Sequence, residues 1–254
     1  MGTVKIEVCC GSADDVIEAY KAGADRAELN SSLSQGGLTP SVGALRVAKK
    51  YAGLPVICMI RPREGGFFYT DMEFETALSD TKALINNGAD GIAFGCLNED
   101  GTVDVDRCRA IVAAAGKKET VFHRAIDVTP DWKAALDALI ELGVTRVLSS
   151  GQRPSAPLGS KTLAMMTLHA AERIEIMPGA GITPDNAREL IKEIGCGQIH
   201  LSMHKQMEDK STSANPDIHF ASSLNPRSPE NSFKIIDGDK LARFTSSLKA
   251  YVPT

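Results

Sequence analysis

The sequence has little of what a membrane, secreted or nucleic-acid-binding protein requires. No uninterrupted apolar stretch is long enough to span a bilayer. The opening segment, MGTVKIEVCC, runs almost at once into a strand-like pattern and lacks the layout of a signal peptide. An excess of one charge sign is also missing. The 28 Lys and Arg stand against 32 Asp and Glu, for a net charge of −4. That argues against a nucleic-acid groove or an anionic membrane surface as partner. The 6 cysteines include no CxxC pair, which argues against a zinc knuckle or a thioredoxin-type motif. These absences place the chain in the cytoplasm, with its thiols reduced. What remains is ordinary for a soluble globular chain: 254 residues, 43% hydrophobic and 24% charged, enough to bury a sizeable core.

The clearest pattern is a repeat. YKAGADRAEL, INNGADGIAF, LIELGVTRVLSS and KEIGCGQIHLS each read as a helix end, a glycine, a polar step and an apolar strand. The glycines are Gly23, Gly88, Gly143 and Gly195, with Gly53 and Gly116 doing the same less cleanly. Glycine suits the left-handed turn just past a helix. The pattern predicts strands at 4–9, 25–30, 55–61, 90–95, 119–124, 145–150, 173–178 and 197–202, with helices between them at 12–22, 41–51, 71–87 and 104–115. Ser41, Asp71 and Thr183 with Pro184 mark helix starts. Strands alternating with helices imply a parallel sheet, and eight units in 254 residues match a single (β/α)₈ TIM barrel over 1–254. A doubly wound open sheet has less support, because no glycine-rich dinucleotide turn follows the first strand. Residues 204–234, rich in Ser, Asn and Pro, break the rhythm as a polar insertion after strand eight. The insertion is expected to be a cover or a subunit contact. A helix at 237–250 closes the barrel.

Active sites of such barrels lie where the strands end, and alternate strand residues share a face. That parity sends Glu7, Glu28, Arg61, His123 and His200 to the mouth, with Arg124 turned to the helix layer and Asp127 on the following loop. Burying such groups is costly unless they pair or do chemistry. Their convergence therefore points to a functional pocket. A workable mechanism uses Glu7 or Glu28 as base, His123 or His200 as acid, and Arg61 to hold an anionic group. It suits isomerase or lyase chemistry on a small polar metabolite. Gly179 and Gly181 in MPGAGI, with Ser150 and Gly151 after strand six, offer backbone N–H groups to an anion.

Metal is the competing reading. Cys9 is the cysteine that parity turns toward the pocket, with Met59 as a second sulfur for Cu(I). The two glutamates and two histidines also suit zinc or manganese if they converge. His200 and His204 lie about 13 Å apart on a strand, too far to share an ion. His169 and His219 have no obvious partner.

GADRAELNSSLSQGGLTPS, MIRPREGGFFYTDME, ADGIAFGCLNEDGTVD, VFHRAID, RVLSSG and MPGAGI together resemble the CutC family of copper homeostasis proteins, from about residue 5 to 250. The resemblance implies a (β/α)₈ barrel, a cytoplasmic homo-oligomer (dimer or tetramer), and copper binding or handling through cysteine. Cys9 matches one cysteine of the family pattern. Asn30 stands where relatives often carry a second, and IHLS lacks a cysteine that some relatives carry just after the histidine. Glu7, Glu28, Arg61, His123, Asp127 and His200 fit the family pattern fully. The resemblance therefore supports the pocket more fully than a two-thiolate site.

Overall fold

In each short strand one set of alternate side chains is apolar and branched, and it faces outward. Ile6, Val8, Leu29, Val56, Ile92, Phe122, Val147 and Ile199 belong to one buried cluster between the sheet and the helices. The other parity points into the barrel. A computed structural model describes residues 4–212, 214–215, 218 and 232–250. Its parallel strands are β1 (Lys5–Cys10), β2 (Arg26–Leu29), β3 (Val56–Met59), β4 (Gly91–Phe94), β5 (Glu119–Phe122), β6 (Arg146–Ser149), β7 (Glu175–Pro178) and β8 (Gln198–Leu201). The hydrogen-bonded order runs from β7 down to β1 and then β8. β7 and β8 stand side by side and bring the eight strands to a nearly closed barrel.

The helices are α1 (Ala13–Lys21), α2 (Val42–Tyr51), α3 (Asp71–Asn86), α4 (Val105–Ala115), α5 (Trp132–Glu141), α6 (Ala156–Ala170), α7 (Ala187–Ile194) and α8 (Gly238–Lys249). Their starts are set by local hydrogen bonding. Ser41 accepts from the Ala44 N–H. Thr70 and Glu73 form a reciprocal capping box ahead of α3. Helix α7 begins at Ala187, three residues after Pro184, because Thr183 N–H and the Asn186 side chain first make a turn. Gly23, Gly88, Gly143 and Gly195 have φ of 80°, 99°, 73° and 71°, as the repeat predicts. Gly53 has no positive φ. It is small because the Tyr20 ring packs on it, with a phenol oxygen 3.1 Å from where a Cβ would sit.

The stretch after β8 departs from expectation. Residues read as loop pair at both ends of the insertion: β9 (His204–Glu208) runs antiparallel to β10 (Ser232–Ile236). The ribbon is fixed against α1, where the buried Asp15 carboxylate accepts the Ile236 N–H at 2.7 Å. Alternation is weak there because both faces of β9 are largely exposed, so period two never shows in the sequence. His219 and most of the insertion lie outside the described residues.

The barrel interior is divided. Ile57, Met59, Ala93, Val121, Leu148 and Met177 form a separate apolar plug. Fully burying such a side chain contributes about 1.5–3 kcal/mol. The other half, contributed mainly by β8, β1 and β2 with help from β6 and β7, is polar.

Candidate functional site

The polar half is a continuous chain of paired side chains. At the bottom the fully buried Arg146 reaches Glu175 at 2.7 Å and Glu119 at 3.2 Å. Gln198 links Glu175 to Arg26, with bonds of 3.1 and 2.9 Å. Arg26 donates through Nε to Glu7, and the other Glu7 oxygen takes His200 Nδ1–H at 2.8 Å. Parity of RVLS and EIMP places Arg146 and Glu175 on the inward face at the starts of β6 and β7, so this lower network was legible in the sequence but is missed when only strand ends are considered.

At the mouth the network reaches a cluster of donors. Ligand atoms of Cys9, Glu28 and His200 lie within 4.8 Å of one another. His200 Nε2 is 3.9 Å from Glu28 Oε2. Asn30 Nδ2 donates to Glu28 Oε2 at 2.9 Å and approaches Cys9 Sγ at 3.7 Å. Glu28 Oε1 is buried without a partner among the described residues. The amide of Asn30 thus holds both neighbours. Gly37 makes room for it, since a Cβ there would lie 2.5 Å from Asn30 Oδ1.

Charge in this cluster is set by burial and by neighbours. Burial pushes Glu7 up, but the His200 hydrogen bond and the Arg26 charge outweigh it and hold Glu7 at about 2. Burial pushes His200 down, but Glu28, Cys9 and Glu7 outweigh it and hold the ring well above the usual imidazole range. Glu28 is raised by burial and by the Glu7 charge. The Cys9 thiol is raised by burial, with His200 opposing.

Across the mouth stands His123, also buried. Its Nδ1 accepts the Ala125 N–H at 3.2 Å, so the proton of the neutral ring sits on Nε2. Burial, then the Arg61 charge, lowers its pKa to about 3. Nε2 is buried without a partner among the described residues, and Phe67 covers the ring at 4.8 Å. Between His123 and the Cys9 cluster lies a cavity of about 610 Å³, floored by Met59, Leu148 and Leu201.

Several predicted site residues do other work. Both terminal nitrogens of Arg61 are taken by the carbonyls of Gln35, Gly37 and Gly65. Arg61 lines the cavity and ties two loops together through these bonds, while its buried Nε has no partner among the described residues. Asp127 does not line the cavity. Its carboxylate accepts the N–H groups of Ser150 and Gln152 and the hydroxyls of Ser149 and Ser150. The nest expected to take an anion at Ser150 and Gly151 is therefore filled by the protein's own carboxylate. Gly151 lies against the Gly159 backbone, and Gly179 packs under Leu148 and His200. Gly181 does line the cavity. Arg124, expected in the helix layer, lines it too, because a short 3-10 turn at Arg124–Val128 ends strand parity at His123. Met59 sits in the apolar plug and lines the cavity.

Fold and site together define an α/β barrel whose mouth carries a thiol, a carboxylate and two imidazoles over a small cavity. The comparison with known families gives the class a name. The family model described as CutC family matches residues 4–205, and the chain belongs to the CutC family. A family protein CutC of Treponema denticola is 50% identical over 248 residues, covering 98% of this chain and 100% of its own. The human copper homeostasis protein cutC homolog is 38% identical over 244 residues, covering 96% of this chain and 89% of its own. Among solved structures, the copper homeostasis protein CutC from Streptococcus agalactiae matches with a TM-score of 0.75 and 33% identity, over 78% of this chain and 98% of that one. An aldolase, QR15, matches at 0.60 with 15% identity, covering 78% of this chain and 89% of that one, and shows the shared fold alone.

Proposed function

We propose that this protein handles copper in the cytoplasm and binds Cu(I) as cargo at the barrel mouth. The observation that carries the reading is the convergence of Cys9, Glu28 and His200 within 4.8 Å. The names of the relatives point the same way. A thiolate and an imidazole suit Cu(I), and the carboxylate is a harder third neighbour. Glu7 on His200 Nδ1 is the outer partner that orients a ligating imidazole. Cys9 and His200 each give up a proton on binding, so loading releases protons. All six cysteines are free thiols, which supports a reducing compartment. Among the described residues no helix is long and apolar enough to cross a membrane. Exposed Leu158, Met165 and Leu168 on α6 support self-association into a homo-oligomer.

The test is an anaerobic Cu(I) titration against a competing chelator, on the natural protein and on Cys9→Ser. Stoichiometric binding lost in Cys9→Ser supports copper handling. Weak binding indifferent to Cys9 overturns it. A second reading, an isomerase or lyase acting on a small polar metabolite, is favoured by the cavity, which is far larger than an ion needs. Its support is turnover of a small metabolite that is abolished by Glu28→Gln.

A further inference from the structure

One side of the cavity has no part in the copper cluster. His123 presents a buried Nε2–H with no acceptor among the described residues. A buried donor left unpaired costs about 1–3 kcal/mol, so it calls for an acceptor from outside. Beside it, Arg124 is held from behind. Nε donates to Asp127 at 2.9 Å and one terminal nitrogen to Ser150 at 2.7 Å, while its other terminal nitrogen has no partner among the described residues. The turn after β7 completes the arc. Ala180 and Gly181 have φ of 70° and 75°, and a non-glycine residue rarely accepts such a backbone. The Gly181 and Ile182 N–H groups have no acceptor among the described residues. All of these residues line the cavity.

Charge on the lining is lopsided. Among the described residues Arg61 and Arg124 face a single carboxylate, Glu28, while Asp127 is turned away into its nest. Met59, Phe67, Leu148 and Ile182 supply an apolar body to the space. Among the described residues no lysine lines the cavity to serve as a Schiff-base nucleophile.

We propose that the mouth binds a small organic anion, a carboxylate or a phosphate monoester with a short apolar body, whose oxyanion sits between His123 Nε2–H, the Arg124 guanidinium and the Gly181–Ile182 backbone. The site depends on neither copper nor turnover and uses none of the proposed copper ligands, so either reading can fail alone.

The experiment is isothermal titration of the full chain, stripped with a chelator, with lactate, propionate, phosphoglycolate and inorganic phosphate, and with propane-1,2-diol as the neutral counterpart. At least one organic anion should saturate one site, and the diol should not. His123→Asn keeps the acceptor for Ala125 N–H and removes Nε2–H. It should weaken that anion by about tenfold or more, as should Arg124→Met. Cys9→Ser should leave anion binding intact while removing copper. Preference for phosphoglycolate and inorganic phosphate over the carboxylates identifies a phosphate site, and the reverse a carboxylate site. The proposal is overturned if no anion exceeds the diol, or if the anion that binds is indifferent to both His123→Asn and Arg124→Met while melting shows both variants folded.

Discussion

Glu7 stands between two buried cations: His200 Nδ1 is 2.8 Å from one carboxylate oxygen, and Arg26 Nε bonds the other. Glu7→Ala leaves both cations without their shared counter-charge in a buried setting. Breaking such a pair costs about 3–5 kcal/mol. Glu7→Gln keeps an acceptor and the volume, and should cost less. Chemical denaturation of the two variants checks this. A loss for Glu7→Ala within about 1 kcal/mol, the range of exposed pairs, contradicts a desolvated triad.

Asp127 is expected to matter for stability rather than for chemistry. Asp127→Asn places an NH₂ group among donors that already point at the carboxylate, leaving buried N–H or O–H groups unmatched. The cost should be about 1–3 kcal/mol. Copper stoichiometry should stay unchanged. An unaltered melting temperature with lost copper binding would return Asp127 to the site.

The different fates of Asp127 and His123 show what the sequence made legible. Period two along VFHRAID places Val121 in the plug and His123 at the mouth, and both are found there. Parity lasts only while the chain is extended. Arg124 begins a 3-10 turn, so alternation no longer locates it or Asp127. The repeat of helix end, glycine and strand made the barrel readable for a similar reason, since each turn needs the same left-handed residue. The β9–β10 ribbon has no such signal because its exposed strands are not patterned by a core. Likewise, Arg61 reads as a cation near strand three, but only the folded loops show its terminal nitrogens spent on three carbonyls.

Asn30 offers a gain-of-function test. Its amide lies 3.7 Å from Cys9 Sγ on the neighbouring strand, so Asn30→Cys sets a second sulfur beside the first. Soft ligands favour Cu(I). Chelator competition under anaerobic conditions should show tightening by about tenfold or more, the scale of about 1.4 kcal/mol. Unchanged affinity in a folded, reduced variant would mean that Cys9 does not ligate copper.

His123 should leave a signature in the pH dependence of stability. Its folded pKa of about 3 lies below the ordinary 6.5. Burial is the first cause, and the charges of Arg61 and Arg124 add to it against the opposing Asp127. Between those two values the unfolded chain binds a proton at this ring that the folded protein does not. Stability is therefore greatest above the unfolded value and falls with pH by about 1.4 kcal/mol per unit from this one group. Below the folded value the ring is protonated in both states, and its contribution to the slope ends. His123→Asn removes the group and keeps the cap on Ala125. Urea denaturation from about pH 7 to about pH 4 should then show a shallower slope for the variant, by close to one proton. Equal slopes would mean that His123 takes up its proton in the folded state at an ordinary pH, and that its Nε2 meets water rather than a dry cavity wall.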